Sequence, residues 1–244
     1  MGLDYHTAKW MLGTVQLSGA DVLTVGRQNW WLSRRVSRLI GWPDAPQYGP
    51  ANYSDAWWRH VGARVKTVDI STMESPDVVM DLSVAGSVDS SQLARRFDVV
   101  VDLGTAEHVA DQSAYWKNLY DALRPNGSLV GMLPANGLCG HGLYQFSPEF
   151  FWSLGGFYVI GIFTVRYGPV VRFNPFRLNG RFQISSRWPS YVAFHLARDT
   201  SPFSMPVQFG GATTPTTPPR ASAFTRALVE MPFVRAMERI LRGL

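Results

Sequence analysis

Titratable residues crowd beside glycines in two short strings of this 244-residue chain. The first is Asp98-Val-Val-Val-Asp102-Leu103-Gly104-Thr105-Ala-Glu107-His108-Val109, and the second is Gly140-His141-Gly-Leu-Tyr144-Gln145-Phe-Ser-Pro148. An apolar run that ends in Asp-Leu-Gly-Thr delivers a carboxylate, a hydroxyl and an imidazole to the end of a strand. Glycines flanking His141 describe a loop that brings a second imidazole close to something. Histidine is the side chain suited to take a proton near neutral pH. His108 and His141 are therefore the two candidates for a general base, with Glu107 placed to orient one of them or to meet a cofactor. The plainer alternatives stay open: His108 as a structural histidine beginning the next helix, His141 as a loop residue bonded to backbone. Asp102, Glu107, His108 and His141 lack ligand spacing such as His-Glu-x-x-His, so no metal is expected.

These strings need a scaffold, and the apolar periodicity predicts one. Strands are expected at Asp21 to Val25, Ala63 to Asp69, Asp77 to Asp81, Phe97 to Leu103, Ser128 to Leu133, Phe157 to Arg166 and Tyr191 to Ala197. Helices are expected at 3–18, Trp30 to Ile40, Ser54 to His60 with Ser54 as cap, 111–123 and Pro148 to Leu154. Strands alternating with helices imply parallel βαβ units. The last two strands have no helix between them and should pair antiparallel. The expected fold is α/β: a Rossmann-like, mostly parallel seven-stranded sheet with an antiparallel last strand and helices on both faces. The domain is expected to span 1–198, with insertions at about 43–60 and 167–189. A Pro/Thr-rich linker at 199–219 and a basic amphipathic helical tail at 220–244 follow.

Ligands of open α/β sheets sit beyond the carboxyl ends of the strands. The residues there are Gly26-Arg27-Gln28 after the first strand, Asp69-Ile70 after the second and Asp81-Leu82 after the third. A glycine lets a ligand approach the backbone. A carboxylate closing the second strand can accept both hydroxyls of a ribose, or serve only as a turn or cap residue; Asp81 has the same two readings. One glycine stands where a pyrophosphate-binding Gly-x-Gly-x-x-Gly needs three, which disfavours a nicotinamide-dependent oxidoreductase.

Taken in order, VLTVG, VDIS, VMDLS, FDVVVDLGTAEHV, LRPNGSLV and HGLYQFSP resemble the class I S-adenosylmethionine-dependent methyltransferases over roughly residues 20–198. The similarity is greatest to a bacterial branch with Gly-Thr-x-Glu-His after strand four and His-Gly-x-Tyr-Gln-Phe-Ser-Pro after strand five. The resemblance implies that S-adenosylmethionine is the cofactor, with Gly26, Arg27 and Gln28 around its methionine part. It implies ribose binding by Asp69 with Ile70 beside it, an adenine border at Asp81 and Leu82, and Asp102, Leu103, Gly104 and Thr105 beneath the sulfonium. Two departures stand out: the glycine loop is thin, and residues 43–60 lengthen the connection from Gly26 to Asp69, where they could cover the site.

Beyond the sixth strand, Arg166, Arg172, Arg177, Arg181 and Arg187 alternate with Tyr167, Phe173, Phe176, Phe182 and Trp188, with no acidic residue among them. Arginine and aromatics together can bind single-stranded nucleic acid or a sugar, or can be an ordinary surface. No nucleic-acid module is recognisable, so nucleic acid is not the expected partner. The expected acceptor is a small molecule or carbohydrate hydroxyl, held by Tyr144, Gln145, Arg172 and Arg177. Competing readings are a non-catalytic module that binds S-adenosylmethionine or a nucleotide, and a methyltransferase acting on nucleic acid. The net charge of +5 comes from arginine, lysine occurring only at positions 9, 66 and 117. A single cysteine, Cys139, excludes an internal disulfide. With no secretory h-region at the N-terminus, a cytoplasmic location is expected. The tail could rest on an acidic membrane or pack on a second copy of the chain.

Overall fold

The computed structural model describes residues 2–45, 53–167, 171–175 and 188–206. The predicted tail at 220–244, most of the linker and Arg177 lie outside these residues. One large sheet organises the chain. Its strands are β1 (Asp21–Val25), β2 (Arg64–Asp69), β3 (Val78–Val79), β4 (Phe97–Asp102), β5 (Leu123–Asn136), β6 (Phe157–Arg166), β7 (Arg172–Pro175) and β8 (Ser190–Arg198). They lie in the order β3-β2-β1-β4-β5-β8-β6-β7. The first five are mutually parallel, and β8 runs antiparallel to both β5 and β6. This is the expected α/β sheet with one addition. Arg172–Pro175 folds back on β6 as an eighth, antiparallel strand, in a stretch where sequence reading expected an irregular insertion.

Alternation along the strands sorts side chains to two faces. Leu23, Val25 and Val100 join one core, while Val22, Val99 and Val101 join the other. The first core is closed by α4 (Gln112–Ala122) and α5 (Pro148–Trp152) through Trp116, Leu119 and Phe151. The second is closed by α1 (Tyr5–Leu12) and α3 (Asp55–His60) through Trp10, Met11, Trp57 and Trp58. Helices thus cover both faces.

Several predicted elements are shorter in the structure. The helix expected at 3–18 ends at Leu12, and its cap is Asp4, whose Oδ1 accepts the Thr7 amide at 2.7 Å. In place of a helix over Trp30 to Ile40 there is a two-residue strand, Asn29–Trp30, then α2 (Arg34–Ser37) and a 3-10 turn at Arg38–Ile40. Gly41, at φ +80°, ends that turn in a left-handed conformation. Ser54 does not cap α3 with its side chain; its Oγ instead accepts the Trp58 indole N–H at 3.2 Å. Pro125-Asn-Gly127 is an excursion within β5, which pairs with β4 at Leu123 and again from Ser128 onward. Of the expected linker, 199–206 packs on the domain: Tyr120 donates to the Ser201 carbonyl at 2.9 Å, and the Gly155 amide to the Ser204 carbonyl at 2.9 Å.

Candidate functional site

Parallel register brings the first group of residues together. Val25 is level with Val68 on one side and Asp102 on the other, so Gly26, Asp69 and Leu103 all lie one step beyond the same line of the sheet. Gly26 has φ +72°, and a Cβ there would stand 2.9 Å from Thr105 Oγ1 and 3.8 Å from Asp69 Oδ2. Only glycine fits this junction. The Gly26 amide donates to the Val68 carbonyl at 2.8 Å and the Thr105 hydroxyl to the Val25 carbonyl at 3.0 Å, so the floor is cross-tied over three strands. Asp69 Oδ1 accepts the Ser71 amide at 2.8 Å, while Oδ2 is the oxygen turned toward Gly26. Burial, followed by the charge of Asp69, raises the Glu74 carboxyl above its ordinary range. A second acid therefore stands near this corner.

The neighbouring side chains divide into those that face this junction and those spent on structure. Gln28 is buried, and neither its amide oxygen nor its amide nitrogen has a hydrogen-bond partner among the described residues. A buried amide without partners costs about 1–3 kcal/mol, and this one stands two residues beyond Gly26 in the chain. Arg27, expected to contact cofactor, is turned to a different task. Its Nε meets Asp55 Oδ2 at 3.1 Å, its guanidinium lies 4.3 Å over the Tyr53 ring, and it donates to the carbonyls of Glu74 and Ser75. It clamps α3 to the rim. Asp81 closes a local turn, its Oδ1 accepting the Ser83 amide at 2.8 Å and the Ser83 hydroxyl at 2.6 Å. The Ser83 hydroxyl, then its amide, hold the Asp81 carboxyl below the usual range. Leu82 beside it is buried and Ile70 is exposed.

Asp102 is committed to the protein's own groups. It is fully buried, and its side chain accepts the amides of Gly104 at 3.1 Å, Thr105 at 2.8 Å and Ala106 at 3.3 Å, and the Tyr115 hydroxyl at 2.8 Å. A carboxylate so occupied shapes the loop from Gly104 to Ala106. Burial raises its pKa, against these hydrogen bonds. Leu103 is buried in the second core. Gly104, at φ +106°, then turns the chain from β4 into the loop.

Past that loop the second group converges. Glu107 is completely buried, His108 and His141 are about half exposed, and their Nε2 atoms lie 3.9 and 3.7 Å from Glu107 Oε1. The imidazole centroids are 5.5 Å apart, with planes at 71°. Neither Glu107 oxygen has a hydrogen-bond partner among the described residues. Burial, then the charge of Asp102, pushes the Glu107 carboxyl up to about 7. Burial, then the charge of His141, lowers the pKa of His108 and so favours its neutral form.

The loop that brings His141 in is laid on Glu107 itself. The amides of Leu143 and Tyr144 donate to the Glu107 carbonyl at 2.7 and 3.2 Å. Gly142 packs so closely that a Cβ would sit 2.8 Å from Glu107 Cγ. Tyr144, expected to hold substrate, is partly exposed and donates its hydroxyl to the Ala110 carbonyl at 2.9 Å. Gln145 is exposed and bridges within the loop, donating to Cys139 Sγ at 3.2 Å. Arg172 pairs with Arg166 across β6 and β7. Arg166 is level with Ser190 and so with Asn136 at the carboxyl end of β5, which puts Arg172 on the same edge as the polar cluster.

Two residues that sequence reading passed over position this edge. Tyr115 holds Asp102, and the Asn118 amide donates to the carbonyls of Leu82 and Val84 at 2.9 and 2.8 Å, fixing the loop after β3. Both are polar residues on the apolar side of α4, beside Ala114, Leu119 and Ala122, and that misplacement in the helical pattern was the available signal. A separate hollow of about 290 Å³, lined by Val15, Gly19, Asp98 and Ser128, lies by the starts of the strands, on the opposite edge from this chemistry.

Comparison with known proteins agrees with this architecture. Residues 48–131 match the family described as methyltransferase domain, a span that includes α3 to α4 and the first half of β5. No curated protein matches the chain. Among solved structures, an S-adenosylmethionine-dependent methyltransferase from Methanosarcina mazei is 10% identical, over 82% of this chain and 100% of its own, with a TM-score of 0.50. The 1,6-didemethyltoxoflavin-N1-methyltransferase of Burkholderia thailandensis is 17% identical, over 80% of this chain and 76% of its own, with a TM-score of 0.46. The family match thus covers residues 48–131, and the likeness to the Methanosarcina mazei structure is one of fold.

Proposed function

We propose that this protein transfers the methyl group of S-adenosylmethionine to a hydroxyl of a small molecule, with a sugar or glycan as the acceptor class and a histidine as the base. The observation that carries the reading is the adjacency of two unlike groups of residues. Gly26 and the Asp69 Oδ2 turned toward it form a polar corner, with the buried Gln28 amide, unpartnered among the described residues, two positions along the chain. On the loops after β4 and β5, His108 and His141 stand half exposed beside Glu107.

The roles follow from the chemistry of a sulfonium, which already carries an activated methyl group. What the chain must do is align, exclude water and remove a proton. Gly26 lets the ligand reach the backbone, and Asp69 accepts from ribose hydroxyls. The Asp102-built turn fixes Gly104 and Thr105 under the reacting centre, a positional contribution. His108 or His141 then takes the acceptor hydroxyl's proton. Tyr144 and Arg172 provide an aromatic face and a fork of donors suited to a sugar.

A thermal-shift titration tests the cofactor half. Ligand at about one hundred times its dissociation constant adds roughly 2.7 kcal/mol, on the order of 5–10 °C for a chain of this size. S-adenosylmethionine or its demethylated product should give that shift and NAD none. Labelled cofactor offered with sugar, phenol and nucleic-acid acceptors tests the rest, with label expected on the sugar. Label on nucleic acid alone would transfer the reading to that substrate.

A further inference from the structure

The arrangement of Glu107, His108 and His141 suits a second ligand. We propose that these three residues bind one divalent transition-metal ion of the zinc class. Each offers one ligand atom, and the three atoms lie within 4.8 Å of one another. In tetrahedral zinc sites with bonds of about 2.0–2.1 Å, neighbouring ligand atoms are about 3.3 Å apart. The 3.7 and 3.9 Å separations between Glu107 and the imidazoles need to close by only about half an ångström.

Burial and charge support the same assignment. Glu107 is wholly buried, both its oxygens lack hydrogen-bond partners, and its only ion-pair partners among the described residues are the two imidazoles. Asp102 is a second buried acid close by. A carboxylate without hydrogen-bond partners among the described residues is costly to bury in such a place, and a cation held between it and the two imidazoles offsets that cost. Two nitrogens and one carboxylate oxygen favour zinc-like ions over magnesium or calcium, which prefer all-oxygen sites. The imidazoles are half exposed, so the remaining coordination positions open outward, where an acceptor would stand.

Metal binding itself needs nothing from the methyl-transfer reading; only its use does. With the ion in place the imidazoles would be ligands and no longer the base. The ion lowers the pKa of a bound hydroxyl, and an acceptor hydroxyl bound to it would release its proton to solvent water on the open side.

The full chain, stripped with chelator and dialysed, should bind one Zn²⁺ per molecule by calorimetry and elemental analysis, and Mg²⁺ far more weakly. Glu107→Gln and His141→Ala should each weaken Zn²⁺ binding by at least about 100-fold, since outer-shell changes alone cost 10–100-fold. His60→Ala, remote from the cluster, should bind as the unaltered chain does. Either substitution binding Zn²⁺ at full affinity overturns the proposal, as does sub-stoichiometric binding by the unaltered protein or an equal loss in His60→Ala. The thermal shift with S-adenosylhomocysteine, measured on the same samples, reports folding and tests the cofactor reading separately.

Discussion

The backbone carbonyl of Glu107 accepts the amide of Leu143 at 2.7 Å. Through that bond the loop after β5 is anchored to the turn after β4, and His141 is set beside the carboxylate of the residue that anchors it. Gly142 makes the approach feasible, since a Cβ there would lie 2.8 Å from Glu107 Cγ and 2.9 Å from its carbonyl oxygen. Gly142→Ala should therefore lift the loop and displace His141 while leaving Gly26 and Asp69 untouched. A displacement near 1 Å costs ~100-fold in rate. Steady-state assays should show a fall of that order in kcat, with S-adenosylmethionine affinity within about twofold of the unaltered protein; retention of full turnover would show that this contact does not set the geometry.

The cofactor corner makes the complementary prediction. Asp69→Ala removes the carboxylate whose Oδ2 is turned toward Gly26, and hydrogen bonds to a charged group contribute about 1.5–3 kcal/mol each. Affinity for S-adenosylhomocysteine should fall by at least about tenfold in calorimetry, with metal binding at Glu107 unchanged. Gly26→Ala should be at least as damaging, because it combines a left-handed backbone at φ +72° with a 2.9 Å approach to Thr105 Oγ1. Unaltered affinity in both variants would place the ribose elsewhere.

The strands themselves and the residues at their ends were legible in the sequence because both follow from short-range patterns. Alternating apolar residues fix which face a strand buries, and register then aligns Gly26, Asp69 and Leu103. What each end residue does was not legible. Asp102 and Asp69 look alike in sequence, each closing a strand, yet one turns inward to satisfy three loop amides and the other faces Gly26. The difference lies in Gly104, which at φ +106° folds the chain back so that those amides point at Asp102. Arg27 was misread for a similar reason. Its partners, Asp55 and Tyr53, are 28 and 26 residues away, beyond any local pattern. Glu107, His108 and His141 lie on two loops, so no linear ligand spacing could reveal their convergence.

Tyr115 merits a substitution because, among the described residues, it is the one side chain that donates to Asp102. Tyr115→Phe leaves Oδ2 with only the Ala106 amide at 3.3 Å. Leaving a buried group short of a partner costs about 1–3 kcal/mol, or roughly 2–10 °C in melting temperature at this chain length. Turnover should fall more than cofactor affinity, since the bond shapes the loop from Gly104 to Ala106 and touches no ligand. A melt identical to the unaltered protein would show that Asp102 is held by its backbone partners alone.

His195 gives a prediction about pH that is independent of the site. It lies on β8 within the sheet, with Nε2 2.9 Å from Ser128 Oγ and Nδ1 without a partner, and burial lowers its pKa to about 4. An unfolded histidine titrates near 6.5. Between these values the unfolded chain carries the proton and the folded chain does not, so the unfolded state binds more protons and stability falls as pH drops. Above pH 6.5 the term is absent; by pH 4 it amounts to about 3 kcal/mol, at 1.36 kcal/mol per pKa unit. Urea unfolding of the unaltered chain and of His195→Gln should therefore converge in slope above pH 7 and separate steadily below 6.5, the variant losing less stability on acidification. Parallel profiles from pH 7 to 4 would mean that the imidazole is already protonated in the folded sheet, or that water reaches Nδ1 and relieves its burial.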